Sequence, residues 1–553
     1  MVSRGRTISG RAAFLILLGF IAAGVVFRFI NLDKKVYWYD EVSTSITLSG
    51  YTEKEIVEAI TKHNQPISAA ELLDFQKPRE NSSLLSSLNR LLEENPHHPP
   101  LYYLIAKFWT DMFGSSVWTI RFLSALFSLL AVFAVAWLAW ELFASWPKVI
   151  LAATFFSLSP LHLVYAQEAR QYSLLTVLIL LSGAALLRAF RKNTIPAWIT
   201  YSVLIILGLY THLFFAFVIG GHIIFILRKE ILQHENYLRR FLLSLFCASF
   251  CFLPWLFVLI SNYNNAKRLM SWSLTGNVSS FNLFSIFMHN ISRTFVDYGF
   301  EIGFVQEDIS FLLIFSYYCA LIMLVSVIYF LITSASKETR YFILPMLFIP
   351  PLFLLLPDIF FTGQRSFTPR YQLPLYIGFE LALAAMICFY LQKNHAKKIQ
   401  RYFFSGLLTA LLFLKISSCF IFLQKDRWWN KFMSNENIAV ANYINELERP
   451  LIVSFVKTPY LLSLSYSLDQ DVYFLINPLC SNCSIEHKIS KFEMPSDFSD
   501  ILYLDIIHEH FARIITKKIF DIYLERAVLG KVLGLWRIRD GYNQFSFPQG
   551  VVD

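Results

Sequence analysis

An acidic pair, Asp40-Glu41, closes the sequence Tyr37-Trp38-Tyr39-Asp40-Glu41 directly after the first long apolar run of the chain. Charged side chains that close to a bilayer lose hydration, so a pair there is rarely left without a task. The aromatic residues before it favour the membrane–water interface. A carboxylate held at that level can accept a proton from a hydroxyl or hold a polar substrate. The plainer account is a helix cap, because acidic side chains favour the first turn of a helix.

Further motifs carry chemistry of a complementary kind. His97-His98-Pro99-Pro100-Leu101-Tyr102-Tyr103 opens a short apolar stretch, where Pro99 alone would explain a helix start. Tyr165-Ala166-Gln167-Glu168-Ala169-Arg170-Gln171-Tyr172 fills a tight connection between two apolar runs, and Tyr210-Thr211-His212 sits at a second one. Arg365-Ser366-Phe367-Thr368-Pro369-Arg370-Tyr371 precedes another run. Together they offer carboxylates, cations and aromatic faces. Cations would hold a phosphate, aromatic rings would stack on sugar or lipid, and a carboxylate would serve the incoming nucleophile.

Each motif also has an ordinary reading. Glu168 and Arg170 could pair with each other or with lipid headgroups, and Arg370-Tyr371 could be an interface anchor. His212 could be a satisfied interfacial residue. The segment 261–307 carries Lys267, Arg268, Arg293, Asp297 and Glu301. It could cover a cavity and touch acceptor or carrier phosphate, although a solvated loop is the default. No metal-binding spacing appears, and neither a metal nor another cofactor is expected.

The elements that must position these residues are membrane helices. Hydrophobic residues make up 56% of the 553 and charged residues only 16%, a balance set by apolar runs that recur to residue 423. The runs cover about 12–30, 117–143, 148–165, 172–190, 195–211, 212–228, 241–260, 308–333, 341–357, 372–391 and 402–423, several near the roughly 20 residues that cross a bilayer. The net charge of +9 could suggest nucleic acid. Lys and Arg instead cluster in short loops, from Arg4 through Arg191, Arg239 and Lys337 to Arg401, which is the positive-inside pattern. About eleven spans then put the N-terminus in the cytoplasm and the C-terminal region outside. Leu101–Phe113 is too short to cross, and counting it would send the basic clusters out, so it is expected as an interfacial helix.

The sequence divides at residue 423. Residues 1–423 form the membrane domain, with outer segments at 31–116 and 261–307. Residues 424–553 read as a small α/β domain, with a helix at 437–446 and strands at 451–456, 472–476 and 501–506. Five of the seven cysteines lie inside apolar runs; Cys480 and Cys483 form a Cys-x-x-Cys better suited to a local disulfide on an oxidising face than to zinc.

Asp-Glu after the first span, His-Pro-Pro-Leu-Tyr-Tyr, Gln-Glu-Ala-Arg-Gln-Tyr-Ser and Arg-Tyr-x-Leu-Pro, in this order over most of residues 1–425, resemble the bacterial GT-C glycosyltransferases. The nearest branches are the protein O-mannosyltransferases and the transferases that place aminoarabinose on lipid A. The resemblance implies a hexosyl or pentosyl transferase of the bacterial inner membrane. It would move a sugar from a polyprenyl-phosphate carrier such as undecaprenyl phosphate to a protein, lipid or envelope-glycan acceptor on the outer face, with inversion. It implies Asp40 as general base or acceptor-orienting group with Glu41 as helper. It implies His98, Arg170, Arg365, Arg370 and Tyr371 at the donor phosphate, and His97, Tyr103, Glu168, Tyr172, His212, Lys267 and Arg268 around the cavity. His98 stands where the lipid A branch tends to have Lys, which argues against the lipid A substrate. A transporter or flippase for a lipid-linked sugar and an inactive scaffold are the competing classes. Against the first, transporters place polar groups at the midplane, often within internal repeats, whereas these motifs gather at one face.

Overall fold

The computed structural model describes residues 4–476 apart from 62–64, 81, 229–234, 275–278, 301–310, 362, 393–395 and 455, and beyond that 492–493, 497–506, 524–529, 533–538 and 544–545. Cys480 and Cys483 lie outside the described residues.

In chain order the helices begin with α1 (Arg4–Phe27), α2 (Tyr39–Ser49), α3 (Glu53–Thr61), α4 (Ala69–Asp74), α5 (Leu84–Glu94) and α6 (Leu101–Phe113). The long apolar helices follow: α7 (Val117–Phe143), α8 (Trp146–Ser157), α9 (Pro160–Ala166), α10 (Tyr172–Lys192), α11 (Ile195–Leu209), α12 (Phe215–Arg228) and α13 (Glu235–Ser261). Next come α14 (Tyr263–Leu274), α15 (Ser280–Ser292), α16 (Phe311–Thr333), α17 (Lys337–Phe361), α18 (Leu373–Leu391) and α19 (Lys398–Gln424), and finally α20 (Asn437–Asn445) and α21 (Thr458–Ser465). The expected interfacial helix at Leu101–Phe113 is α6, and the segment expected as a loop at 261–307 is largely helical, as α14 and α15.

Among the described residues seven helices are long and apolar enough to cross a membrane, or eight when the bent pair α8 and α9 counts as one. The shorter apolar helices Ala12–Phe27, Ile195–Leu209 and Phe215–Leu227 supply the remaining runs read from the sequence. The chain is therefore a multi-pass helical membrane protein. Phe246, Phe250 and Phe257 on α13 are 64–71% exposed, a face that only lipid would cover favourably.

The run expected as one straight span over 148–165 is broken. The axes of α8 and α9 meet at 58° across residues 158–159, where Pro160 begins the second helix. A break inside a bilayer strands the last carbonyls of the first helix. Here charged side chains answer them. Arg28 donates to Ser157 O at 2.7 Å and Phe156 O at 3.3 Å, and Lys415 of α19 donates to Phe155 O at 3.0 Å. Gly24 lets α1 lie against this break, since a Cβ there would collide with the Ser157 carbonyl. Glu380 of α18 balances the charge, 2.7 Å from Lys415 Nζ and 3.3 Å from His162 Nε2. Lys415→Met would leave Glu380 buried beside fewer cations and expose two carbonyls to apolar surroundings. A loss of about 3–5 kcal/mol is expected, read as a lower thermal midpoint, with partial recovery in Lys415→Met/Glu380→Gln.

The chain forms two compact units. One comprises Met1–Leu32, Leu91–Ala106 and Trp118–Lys425; the other comprises Asp33–Arg90, Lys107–Val117 and Asp426–Asp553. One boundary falls at residue 425, and most of the first outer segment, 33–90, clusters with the chain beyond it. The reason is visible in the second unit's sheet. Strands β1 (Ile67–Ser68), β2 (Pro450–Ser454), β3 (Tyr473–Ile476), β5 (Asp500–Ile506), β6 (Leu524–Leu529) and β7 (Leu533–Ile538) run in the order β1-β3-β2-β5-β7-β6, and β4 (Phe492–Glu493) pairs with β8 (Gln544–Phe545). The central β3-β2-β5 strands are parallel, with α21 crossing from β2 to β3. β1, from the first outer segment, closes one edge antiparallel to β3, with Ile67 opposite Phe474. Leu451, Val453 and Leu475 form the buried centre of this sheet.

Candidate functional site

The polar motifs form two constellations, one on each unit. In the membrane unit, Pro99 and Pro100 precede α6 and present His97 and His98 ahead of it. The turn after α9 presents Glu168 and Arg170, and the short 3-10 turn Pro369–Gln372 presents Arg370. Arg170 Nη2 lies 3.1 Å from His98 Nε2, and Gln171 Nε2 lies 3.3 Å from His98 Nδ1. Tyr103, buried on α6, donates its hydroxyl to Gln171 Oε1 at 3.4 Å. The rings of His97 and His98 stand 4.0 Å apart. Arg370 Nη1 is 3.9 Å from Glu168 Oε1, and its guanidinium lies over Tyr172 at 5.2 Å and Tyr371 at 5.7 Å. His212 packs 6.0 Å from both of those rings and accepts the Phe214 N–H at 3.1 Å. Two guanidiniums, one carboxylate and tilted aromatic rings therefore form one cluster, which suits an anionic headgroup attached to an apolar chain.

His98 differs from the cation that the sequence suggested. Loss of hydration, followed by the charges of His97, Arg170, His212 and Arg370, holds its pKa well below the usual histidine range. The ring is neutral at physiological pH. Because Arg170 can only donate, Nε2 of His98 accepts from it. An unfolded His98 takes up a proton below about pH 6.5 while the folded one does not, so stability falls as pH drops through that value. The thermal midpoint of His98→Asn is expected to decline less between pH 7.5 and 5.5 than that of the unchanged protein.

Three expected site residues are placed elsewhere. Arg365 is committed to Asp358, a fully buried carboxylate at 3.0 Å that also accepts the Ser366 N–H and hydroxyl at 2.7 and 2.9 Å. Its charge is consumed in satisfying Asp358, so it serves the local turn. Lys267 and Arg268 lie exposed on α14, where Arg268 donates to Asn265 Oδ1 at 2.9 Å. Water screens their charges there.

In the second unit, Asp40 and Glu41 occupy the first turn of α2. Neighbours in sequence, they meet different surroundings. Asp40 is half-buried, whereas Glu41 is sealed and lies 2.7 Å from Lys431 Nζ, itself 1% exposed. Glu41 also accepts the Trp38 N–H at 3.4 Å, the capping contact that the plainer reading anticipated. Lys431 gave no signal in the sequence, since a lone Lys among loop residues belongs to no motif. Among the described residues no three His, Cys, Asp or Glu side chains gather as a metal site.

Residues 97–258 match the family of dolichyl-phosphate-mannose-protein mannosyltransferases. That segment contains His98, Glu168, Arg170, Tyr172 and His212. Comparison with curated proteins gave no match. Among solved structures the chain is similar to ArnT from Cupriavidus metallidurans bound to undecaprenyl phosphate, at 12% identity over 94% of this chain and 98% of that one, with a TM-score of 0.48. The apo state of the same protein matches at 11% identity over 95% and 98%, also at 0.48. The match to that mannosyltransferase family thus lies within a multi-pass helical membrane architecture.

Proposed function

We propose that the protein transfers a sugar from a polyprenyl-phosphate carrier to a hydroxyl or amine acceptor on the outer face of a bacterial inner membrane. The observation that carries this reading is the grouping of buried Arg170 and partly buried Arg370 with neutral His98 and the Tyr172 ring, in and beside the segment that matches a family named for a lipid-phosphate sugar donor. A departing lipid phosphate gains negative charge as its bond to C1 breaks. Fixed guanidiniums stabilise that charge more in the transition state than in the ground state. Neutral His98 accepts from Arg170 and so fixes where that cation points. By its sequence motif Asp40 is assigned to take the acceptor proton, in a reaction that inverts the anomeric centre as the phosphate leaves C1. Sugar and acceptor identity are left open by these groups. Membranes of a deletion strain should accumulate undelivered polyprenyl-phosphate sugar. Purified protein should release polyprenyl phosphate only when an acceptor is supplied. Movement of intact carrier between leaflets, with no cleavage of the sugar–phosphate bond, would instead establish the flippase reading.

A further inference from the structure

The acidic motif is gripped by side chains from beyond residue 425. Glu41 and Lys431, 390 positions apart, form a sealed ion pair at 2.7 Å, and Lys431 Nζ also lies 5.9 Å from the centre of the Trp38 ring. Ser434 Oγ accepts the Tyr39 N–H at 3.2 Å. Ser463 Oγ donates to Tyr37 O at 2.7 Å. The rings of Tyr37 and Tyr39 pack on Tyr466 and Tyr460 at 4.6 and 4.8 Å. Residues on both sides of half-buried Asp40 are thus fixed by side chains from 431–466, all within the second unit.

We propose that Lys431 is a positioning residue for Asp40, and that the chain beyond residue 425 exists in part to aim that carboxylate; this rests on the transfer reading given above. The physical argument is the cost of an unpaired buried charge. Without Lys431, Glu41 either opens the first turn of α2 to reach water or draws in a proton. Asp40 is the preceding residue on that same turn, so it moves with it. A displacement near 1 Å at a proton-accepting group costs about 10²-fold in rate. Glu41, assigned a helping role in catalysis from the sequence, becomes the other half of the clamp.

The test uses the full-length purified protein, a polyprenyl-phosphate sugar and an acceptor. Lys431→Met should lower kcat by ~10²-fold while donor KM stays within about twofold, because no donor-binding group is touched. Lys431→Arg should restore most of kcat. Glu41→Gln/Lys431→Met, which leaves no buried charge, should recover more than Lys431→Met alone. If folded Lys431→Met keeps its kcat and loses only thermal stability, the pair is merely structural and the proposal is overturned. A readout independent of transfer is the thiol of Asp40→Cys in a background with the native cysteines replaced. Its labelling rate by a membrane-impermeant maleimide should change several-fold on adding Lys431→Met, and an unchanged rate rejects the clamp. The transfer reading is judged separately: if the unchanged protein releases no polyprenyl phosphate with acceptor present, that reading fails, whereas an active Asp40→Asn leaves Lys431 nothing to position and overturns the clamp alone.

Discussion

Asn in place of Asp40 is expected to leave a folded protein whose sugar transfer is slower by about 10³-fold, within the range for losing a positioned general base. The substitution keeps shape and removes only charge. Asp40 is half-buried in the first turn of α2, where an acidic side chain gains about 0.3–1 kcal/mol from the helix N-terminus, so the stability cost is small. Glu41→Gln supplies the contrast. It strands the ammonium of Lys431 in a sealed site, and its principal loss should be stability, of about 3–5 kcal/mol. Thermal unfolding and single-turnover transfer on the two variants therefore give opposite orders of severity. If Asp40→Asn retains transfer within tenfold, the base lies elsewhere.

Arg370→Met should lower transfer by ~10²–10³-fold, the scale of removing one fixed charge from a developing anion. Arg370 combines a carboxylate at 3.9 Å with two aromatic rings beneath its plane, so its position is determined on three sides. Truncation also leaves Glu168, 1% exposed, without that cation, which costs stability and complicates a simple comparison. Arg370→Lys resolves this. It keeps the charge near Glu168 but loses the flat stacking surface, so stability should return and transfer only partly. Arg365→Met is the control: its cost should fall on Asp358 and appear as a lower thermal midpoint. Equal kinetic loss from Arg365→Met and Arg370→Met would show that the two arginines act together at the phosphate.

The membrane helices were legible because their signal is local. Twenty apolar residues and a basic flank report a span wherever they occur, and α6 was read to the residue from its length alone. The strands β2, β3 and β5 followed from short apolar runs between breaks. Interactions between distant segments left no such trace. Lys431 is a single charge whose meaning appears only when the fold brings Glu41 to it. β1 is two residues long and has no period to detect, yet it carries the first outer segment onto the C-terminal sheet. The break between α8 and α9 was hidden for another reason: hydropathy continues across Pro160 without interruption, and direction is not encoded in hydropathy. The neutral state of His98 rests first on its burial, and then on adjacent His97 and on Arg170, His212 and Arg370 from three other stretches of chain.

The charges at the α8–α9 break bear on how the protein enters the bilayer. An isolated Lys or Glu at the centre of a helix costs roughly 2.5–3.5 kcal/mol to insert. Glu380 and Lys415 lie on consecutive helices, α18 and α19, only 35 positions apart. Released from the translocation channel one at a time, each would carry an unmatched charge into lipid. Released as a hairpin, they arrive already neutralised, and the carbonyls of Phe155 and Thr294 await the remaining ammonium protons. Biogenesis of this chain thus favours late, paired entry of its last two membrane helices, onto a bundle whose broken helix is complete only once they dock.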